Sequence, residues 1–425
     1  MNPALNLDFS TKAKYRIVVI VLSPCNPEVR LEKELRYLSK HAFDTHVIAW
    51  NRSGRLPEHE TKWGAPLHRL QPALPNGFGE YPLWRQVLVK SVAMLRFSVA
   101  AFNLCRKLKP DVIYAHDLPT IGIGVLAKWV TRARLIYDAH EDYPMMLADC
   151  SKPLSFIAEL MDRISAPFVD YVVTVDKHRA KKFSDVLKRK TIVAPNFPEA
   201  WFRNCSHIEP PGEVVPVINK LKELKSQGYF IVVSCTQFGL DNGLEEFVRS
   251  KAHMAEEKKV AYFIVGWGNY ASALQRLADC LQLKNMFFTG RLSYESIPHV
   301  LHLADVGVDM KPPTPYMVTV FPTKVSEYLA CGLPVIGGRI PEIIALAEQG
   351  CGIAVDSTQP SSIAEGILKL SHDKSYHGRL AAKASELGAA LTWESSHEKF
   401  DKMFRELLVT AQPYRLGTDL FRSNR

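Results

Sequence analysis

The sequence reads as an α/β protein of two doubly wound domains, each a parallel sheet covered by helices. Three observations predict it. Short β-branched runs alternate with helical stretches through the first half, the same alternation restarts in the second half, and between them residues 203–216, RNCSHIEPPGEVVP, lose periodicity and carry three prolines. A length of 425 residues agrees with two or three domains at roughly 100–200 residues each.

In the first half, strands are expected at 15–22, 45–50, 111–115, 134–137, 170–175 and 191–195, with helices at 28–41, 83–108, 119–131, 153–166 and 177–187. These strands are apolar on both faces, as strands of a parallel sheet buried between helical layers must be. The second half repeats the pattern with strands at 229–235, 260–266, 285–288, 306–309, 333–337 and 352–355, and a final helix from about 393 to 411. Ligands of such sheets sit beyond the carboxyl ends of the strands. The crevice where two such domains face each other is therefore the expected site.

Composition narrows the classes. Hydrophobic residues make up 47% and charged residues 23%, a globular balance that excludes disordered and fibrous chains. No uninterrupted apolar run approaches the ~18 residues of a spanning helix, and the N-terminus lacks the layout of an export signal, so a cytoplasmic protein is expected. Eight cysteines without a C-x-x-C pair read as buried thiols rather than disulfides or zinc ligands. The net charge of +9 lies wholly in the first half, where residues 1–200 hold 29 basic and 20 acidic side chains against 24 of each in 201–425. That asymmetry suits an anionic substrate or membrane, while dispersed basic residues without a nucleic-acid motif argue against DNA or RNA.

Two polar clusters follow strands, and a third opens a helix. In Asp111-Val-Ile-Tyr-Ala-His116-Asp117-Leu-Pro119, His116 and Asp117 fall just before a helix, whose partly positive start favours phosphate and which Asp117 is placed to cap. In Tyr137-Asp138-Ala-His140-Glu141-Asp142-Tyr-Pro144, carboxylates crowd an imidazole and keep it protonated, ready to donate to a leaving phosphate or a sugar hydroxyl. The third, Phe321-Pro-Thr323-Lys324-Val-Ser-Glu327-Tyr328, is a loop and a helix start. There Thr323 and Lys324 offer N–H groups, a hydroxyl and a cation to a diphosphate, and Glu327 can accept from two ribose hydroxyls. Each cluster has a plainer reading: a cap beside a structural histidine, an exposed acidic turn, and a charged first turn.

In this order, HDLP at 116–119, YDAHE at 137–141 and PTKVSEYLACGLPV at 322–335 resemble the retaining glycosyltransferases of family 4, group-1-type glycosyl transferases with the two-Rossmann fold called GT-B. The resemblance implies an acceptor-side domain over 1–203, a nucleotide-sugar-binding domain over 217–393, and over 394–425 a helix returning to the first domain plus a tail. It implies transfer of a sugar from a UDP- or GDP-linked donor to a saccharide or lipid-linked acceptor in polysaccharide or glycoconjugate biosynthesis, with no metal and no cofactor. Glu327 would bind the donor ribose, with Lys324 and Thr323 at the diphosphate. His140 would lie near the phosphates and reacting sugar, and His116 and Asp117 would line the same cleft. Gly266-Trp267-Gly268 and Gly290-Arg291 match glycine positions of the family.

The chain also departs from the pattern. Thr319 stands where many members carry a first glutamate touching the donor sugar, residues 236–245 hold no cation for the diphosphate, and Ser-Pro-Cys-Asn-Pro-Glu at 23–28 replaces a glycine-rich loop. Lys324 or Arg291 must then supply the missing charge. A chain in which neither did so would be an inactive scaffold or nucleotide-sugar-binding protein of a polysaccharide assembly complex. Residues 72–105 mix Phe78, Tyr81, Trp84 and Phe97 with Arg85, Lys90 and Arg96, and the later part reads as an amphipathic helix bordered by cations. That composition suits peripheral contact with the inner face of an anionic membrane.

Overall fold

The computed structural model describes residues 14–148, 151–239, 242–314 and 322–408. Contacts divide the chain into two compact units, one of residues 14–195 with 396–408 and the other within Asn196–Ser395. The sheet of the first unit comprises β1 (Arg16–Val21), β2 (Asp44–Trp50), β3 (His59–Lys62), β4 (Ala65–Leu70), β5 (Val112–His116), β6 (Arg134–Ala139), β7 (Tyr171–Thr174) and β8 (Thr191–Val193), in the order β3-β4-β2-β1-β5-β6-β7-β8. All neighbours are parallel except β3 and β4. That hairpin escapes the sequence pattern because its turn is Trp63-Gly64, with φ of +47° and +78°, rather than an Asn-Gly or Asp-Gly signal.

Helices α1 (Val29–Lys40), α2 (Leu83–Leu108), α3 (Leu118–Thr131), α4 (Tyr143–Ala148) and α5 (Lys152–Ser165) connect these strands. The expected helix at 177–187 is one α-turn, Lys177–Lys181, followed by a wider π-turn over Lys182–Val186. A last helix, His397–Leu408, follows a short turn at Trp393–Ser396; residues 409–411 of the expected helix lie outside the described residues. Its Phe400 and Phe404 pack on Tyr37 of α1, and Glu406 accepts from the Tyr171 hydroxyl of β7 at 2.6 Å.

α2 corrects two expectations. By length and composition, the 25 residues Trp84–Leu108 are apolar enough to cross a membrane. A count of unbroken apolar residues misses this because Arg85, Lys90 and Arg96 interrupt the run. Nor is the helix apolar on one face only. Ala93, Phe97, Ala101 and Cys105, four apart, enter the core beside the sheet, while Trp84, Leu88, Val92, Leu95 and Val99 point outward.

The second unit has β9 (Phe230–Cys235), β10 (Val260–Val265), β11 (Met286–Gly290), β12 (Val306–Asp309), β13 (Val335–Gly338) and β14 (Gly352–Val355), ordered β11-β10-β9-β12-β13-β14 and parallel throughout. Residues 203–216 are built into this unit: Cys205 and Val214 are buried, and Arg203 donates to the Ser385 carbonyl at 2.9 Å. Of the seven described cysteines, all free thiols, five are buried, Cys331 is half-buried and Cys280 is exposed, so the reading of uniformly buried thiols fails at Cys280. Cys150 lies outside the described residues.

Candidate functional site

In both sheets the strand order reverses beside a central strand, between β1 and β5 in the first unit and between β9 and β12 in the second. The crevice at the carboxyl ends there is where doubly wound sheets bind ligands. Of the three sequence-derived clusters, the first follows β5 and the third comes after β12, at these points, and the second follows β6, the neighbour of β5.

In the first unit, β5 ends at His116 and β6 at Ala139, which brings Asp117 and His140 together. His140 Nε2 lies 3.0 Å from Asp117 Oδ2, and its Nδ1 lies 3.7 Å from Asp138 Oδ1. Burial alone would lower the imidazole, but Asp117 and Asp138 outweigh it and raise its pKa to about 9. Asp117, raised to about 6 by burial and then by the charges of Glu141 and Asp138, stays ionised at neutral pH. The pair is therefore an imidazolium and a carboxylate.

Asp117 is held at φ +61°, ψ +165°, a conformation nearly confined to glycine. Its backbone N–H donates to the Asp138 carbonyl at 2.8 Å and its side chain accepts from the Glu141 N–H at 3.1 Å. The expected capping bond to α3 is not made. The carboxylate is turned to the histidine instead.

Beneath this pair lies a layer of buried charge that α1 supplies. Arg30 grips Asp138 with two bonds of 2.9 Å and donates to the Ala194 carbonyl at 3.1 Å. Asp138, fully buried, is held well below the usual carboxylate range: burial pushes it up, but Arg30 and the two histidines outweigh that. His116 Nε2 meets Glu34 Oε2 at 3.0 Å, and the ring is only 2% exposed. It supports the site from inside. His116, Asp138 and His140 offer ligand atoms within 4.8 Å of one another, the spacing of a metal site, yet both Asp138 oxygens are already bonded to a guanidinium.

In the second unit, the helix Thr323–Ala330 begins the corresponding site. Lys324 Nζ donates to Glu327 Oε2 at 3.2 Å, and Glu327 is buried. Burial works against the lysine charge, but Glu327, Cys235 and Asp309 raise its pKa above the ordinary value. Asp309, at the end of β12, is buried, and its Oδ2 makes no hydrogen bond among the described residues. The neighbouring Tyr328 hydroxyl accepts from the Cys235 N–H at 2.8 Å and donates to the Val308 carbonyl at 3.2 Å, tying the helix to β9 and β12. The helix ends in a Schellman turn at Gly332, φ +75°, with Leu333 N–H on the Tyr328 carbonyl and Gly332 N–H on that of Leu329.

Beyond β9, β10 and β11 opens a cavity of about 730 Å³ lined by Phe238, Trp267, Phe288, Asn269, Ser272 and Gln275, with Gly266 and Gly268 in its wall. Side chains at those glycines would strike backbone: a Cβ on Gly266 would lie 1.8 Å from the Thr236 carbonyl oxygen. Residues 218–387 match the family described as glycosyl transferases group 1, and residues 27–196 match the glycosyl transferase 4-like domain. The chain belongs to the group 1 glycosyl transferases.

WcaI of Escherichia coli K12, named for colanic acid biosynthesis, is 25% identical over 355 residues, which are 79% of this chain and 81% of WcaI. TuaH of Bacillus subtilis, named for teichuronic acid biosynthesis, is 38% identical over 63 residues, and the chitobiosyldiphosphodolichol beta-mannosyltransferase of Debaryomyces hansenii is 25% identical over 283. The chain spans only 16% and 58% of those two relatives. Among solved structures, sucrose-phosphate synthase of Thermosynechococcus elongatus superposes with a TM-score of 0.69 at 15% identity, covering 94% of this chain and all of that one. HepE of Anabaena in complex with UDP-glucose gives 0.67 at 14%, covering 92% and 99%. The fold is GT-B.

The chain thus gathers its sequence-predicted residues into groups. His140 and Asp117 pair, with His116 behind them; Lys324 pairs with Glu327, and Thr323 is the exposed first residue of their helix. Arg291 lies elsewhere, stacked 4.6 Å from the centre of the Trp267 ring at the cavity that Gly266 also lines. Thr319 lies outside the described residues. Sequence reasoning missed Arg30, Glu34 and Asp309. Arg30 and Glu34 sit in the charged run EVRLEKELR, where nothing distinguishes a buried arginine from a surface one. Asp309, closing an apolar strand as Asp138 does, carried a readable signal.

Proposed function

We propose that this chain transfers a sugar from a UDP- or GDP-linked donor to a saccharide or lipid-linked acceptor in polysaccharide or glycoconjugate assembly, with retention of configuration and without a metal ion. The observation that carries the reading is the second unit's equipment: an aromatic-lined cavity suited to a nucleoside, together with a Lys324–Glu327 pair at a helix start. Phe238, Trp267 and Phe288 suit the faces of a base, and the buried Glu327 carboxylate suits two vicinal ribose hydroxyls.

The chemistry is departure of a diphosphate. The bond from the anomeric carbon to the diphosphate oxygen breaks, a bond to the acceptor oxygen forms on the same face, and the acceptor proton passes to a leaving phosphate oxygen. Fixed positive charge aimed at that leaving group lowers the barrier most. Lys324 and Arg291 supply it on the donor side, and the His140 imidazolium, its ring nitrogens turned to Asp117 and Asp138, contributes positive charge rather than a free N–H. Asp117 and Asp138 keep that ring charged and oriented, and His116, closed off from solvent, is a positioning residue. Solved neighbours complexed with UDP and UDP-glucose support the donor class. Relatives named for colanic acid and for a diphosphodolichol-linked chitobiose support the acceptor class. The basic first half and the free thiols fit a protein at the cytoplasmic face of an anionic membrane that carries the acceptor.

Calorimetric titration with UDP, GDP and their sugar conjugates tests the donor assignment. Binding of one nucleotide, lost in Glu327→Ala, is the expected result; absence of binding by the unmodified chain overturns it. The cation-free loop at 236–245 favours a second reading, a nucleotide-sugar-binding protein without turnover. Donor binding without transfer to any saccharide or lipid-linked acceptor would select it.

A further inference from the structure

α3 packs against both α2 and α5, so the three helices form one continuous layer on the first unit. Their outward side chains are apolar. Trp84 and Leu95 of α2, Trp129 of α3, and Phe156 and Ile164 of α5 are each 60–69% exposed. In α5 the exposed positions Ile157, Leu160, Met161 and Ile164 follow the i, i+3, i+4, i+7 spacing that normally faces a core. Contiguous exposed apolar surface on this scale marks an interaction site.

The charges around the layer select the occupant. α2 carries Arg85, Lys90, Arg96, Arg106 and Lys107, and neither α2 nor α3 holds a carboxylate. In α5, Asp162 is buried and Glu159 is engaged by Lys182 at 2.7 Å. An apolar face rimmed by cations and lacking exposed acid matches acyl chains beneath anionic headgroups, with tryptophans at the boundary. Although long enough to span, α2 lies along the sheet, fixed by Ala93, Phe97, Ala101 and Cys105. Its first turns, residues 84–92, hold no buried side chain and stand clear of that core.

We propose that the outward face of α2, α3 and α5 is a monotopic membrane-binding surface that inserts its apolar side chains into an anionic phospholipid bilayer. This rests on the proposed membrane-borne acceptor and assigns the surface that would meet it.

Vesicle flotation of the full chain tests it, using phosphatidylcholine alone and phosphatidylcholine mixed with phosphatidylglycerol, at low and high salt. The unmodified protein floats with the anionic vesicles and keeps a weaker, salt-resistant fraction. Trp84→Gln/Leu88→Gln/Phe156→Gln, all at exposed positions, lowers the bound fraction about tenfold or more. Arg85→Gln/Lys90→Gln/Arg96→Gln abolishes the preference for anionic lipid, whereas Lys222→Gln/Lys258→Gln/Lys284→Gln, the same charge removed from the second unit, does not. Failure of the unmodified protein to float, or flotation of the apolar triple variant at the unmodified level, overturns the proposal. So does self-association of the unmodified protein that the apolar variant cures without any vesicle binding, because the face would then join two copies of this chain. Nucleotide calorimetry on the unmodified chain keeps the two readings apart: absence of donor binding tells against glycosyl transfer, and absence of flotation of the unmodified chain tells only against this surface.

Discussion

An imidazolium held between two carboxylates makes the activity depend on pH in a defined way. Asp117 must be ionised, which requires pH above about 6, and His140 must be protonated, which requires pH below about 9. A transfer rate limited by this pair rises through the first value and falls through the second, and the limb near 9 disappears in His140→Gln along with most of the rate. Stability follows the same sign. A histidine whose folded pKa is raised from 6.5 to about 9 contributes fully below pH 6.5 and loses that contribution as pH rises through about 9. The gap in melting temperature between the unmodified chain and His140→Gln is therefore expected to narrow from pH 6 to pH 9.5. Arg30 acts on the same ring through Asp138. Its replacement, Arg30→Met, leaves a buried carboxylate uncompensated and costs about 3–5 kcal/mol in urea unfolding, much of it recovered in Arg30→Met/Asp138→Leu. If the double variant is no more stable than the single, the buried pair is not what Arg30 balances.

Among the elements, the helix Lys374–Ala390 offers two glycines with opposite expectations. Gly388 touches the site helix so closely that a Cβ would lie 1.9 Å from the Leu329 carbonyl oxygen, whereas a Cβ on Gly378 would meet nothing within 4 Å. Gly388→Ala is expected to cost about 1–3 kcal/mol and to weaken nucleotide binding by shifting the helix that carries Lys324 and Glu327. Gly378→Ala should stabilise by about 0.5–1 kcal/mol with binding unchanged. Chemical unfolding and calorimetry read both. Elements are also where the sequence was most legible. Runs such as RIVVIV and VIYAH admit little but a buried parallel strand, and Gly332 with Pro334 closes a helix visibly. The β3–β4 hairpin was hidden because its Trp63-Gly64 turn lacks an Asn-Gly or Asp-Gly signal, and the backbone of Asp117 because contacts with Asp138 and Glu141 impose it. For the same reason the partners of His140 could be guessed from neighbouring carboxylates, but Arg30, distant in sequence, could not.

For the whole molecule, the decisive fact is that two stretches far apart in sequence build the first unit. Phe400, Met403, Phe404 and Leu407 are buried there, against a ring cluster that includes Tyr37 and Phe43. A chain ending at residue 396 is expected to lose calorimetric stability in the first unit and to keep the transition of the second, with a peptide of residues 397–408 restoring the loss. An unchanged first transition would show that the helix is ornamental to folding. The order of synthesis gives this closure a further meaning. A ribosome delivers all eight strands of the first sheet before residue 196, yet the helix that covers Tyr37 arrives only after the whole of Asn196–Ser395. The second unit, continuous in sequence, can finish folding while the first still waits with apolar surface open, so in the cell the half that is made first is completed last.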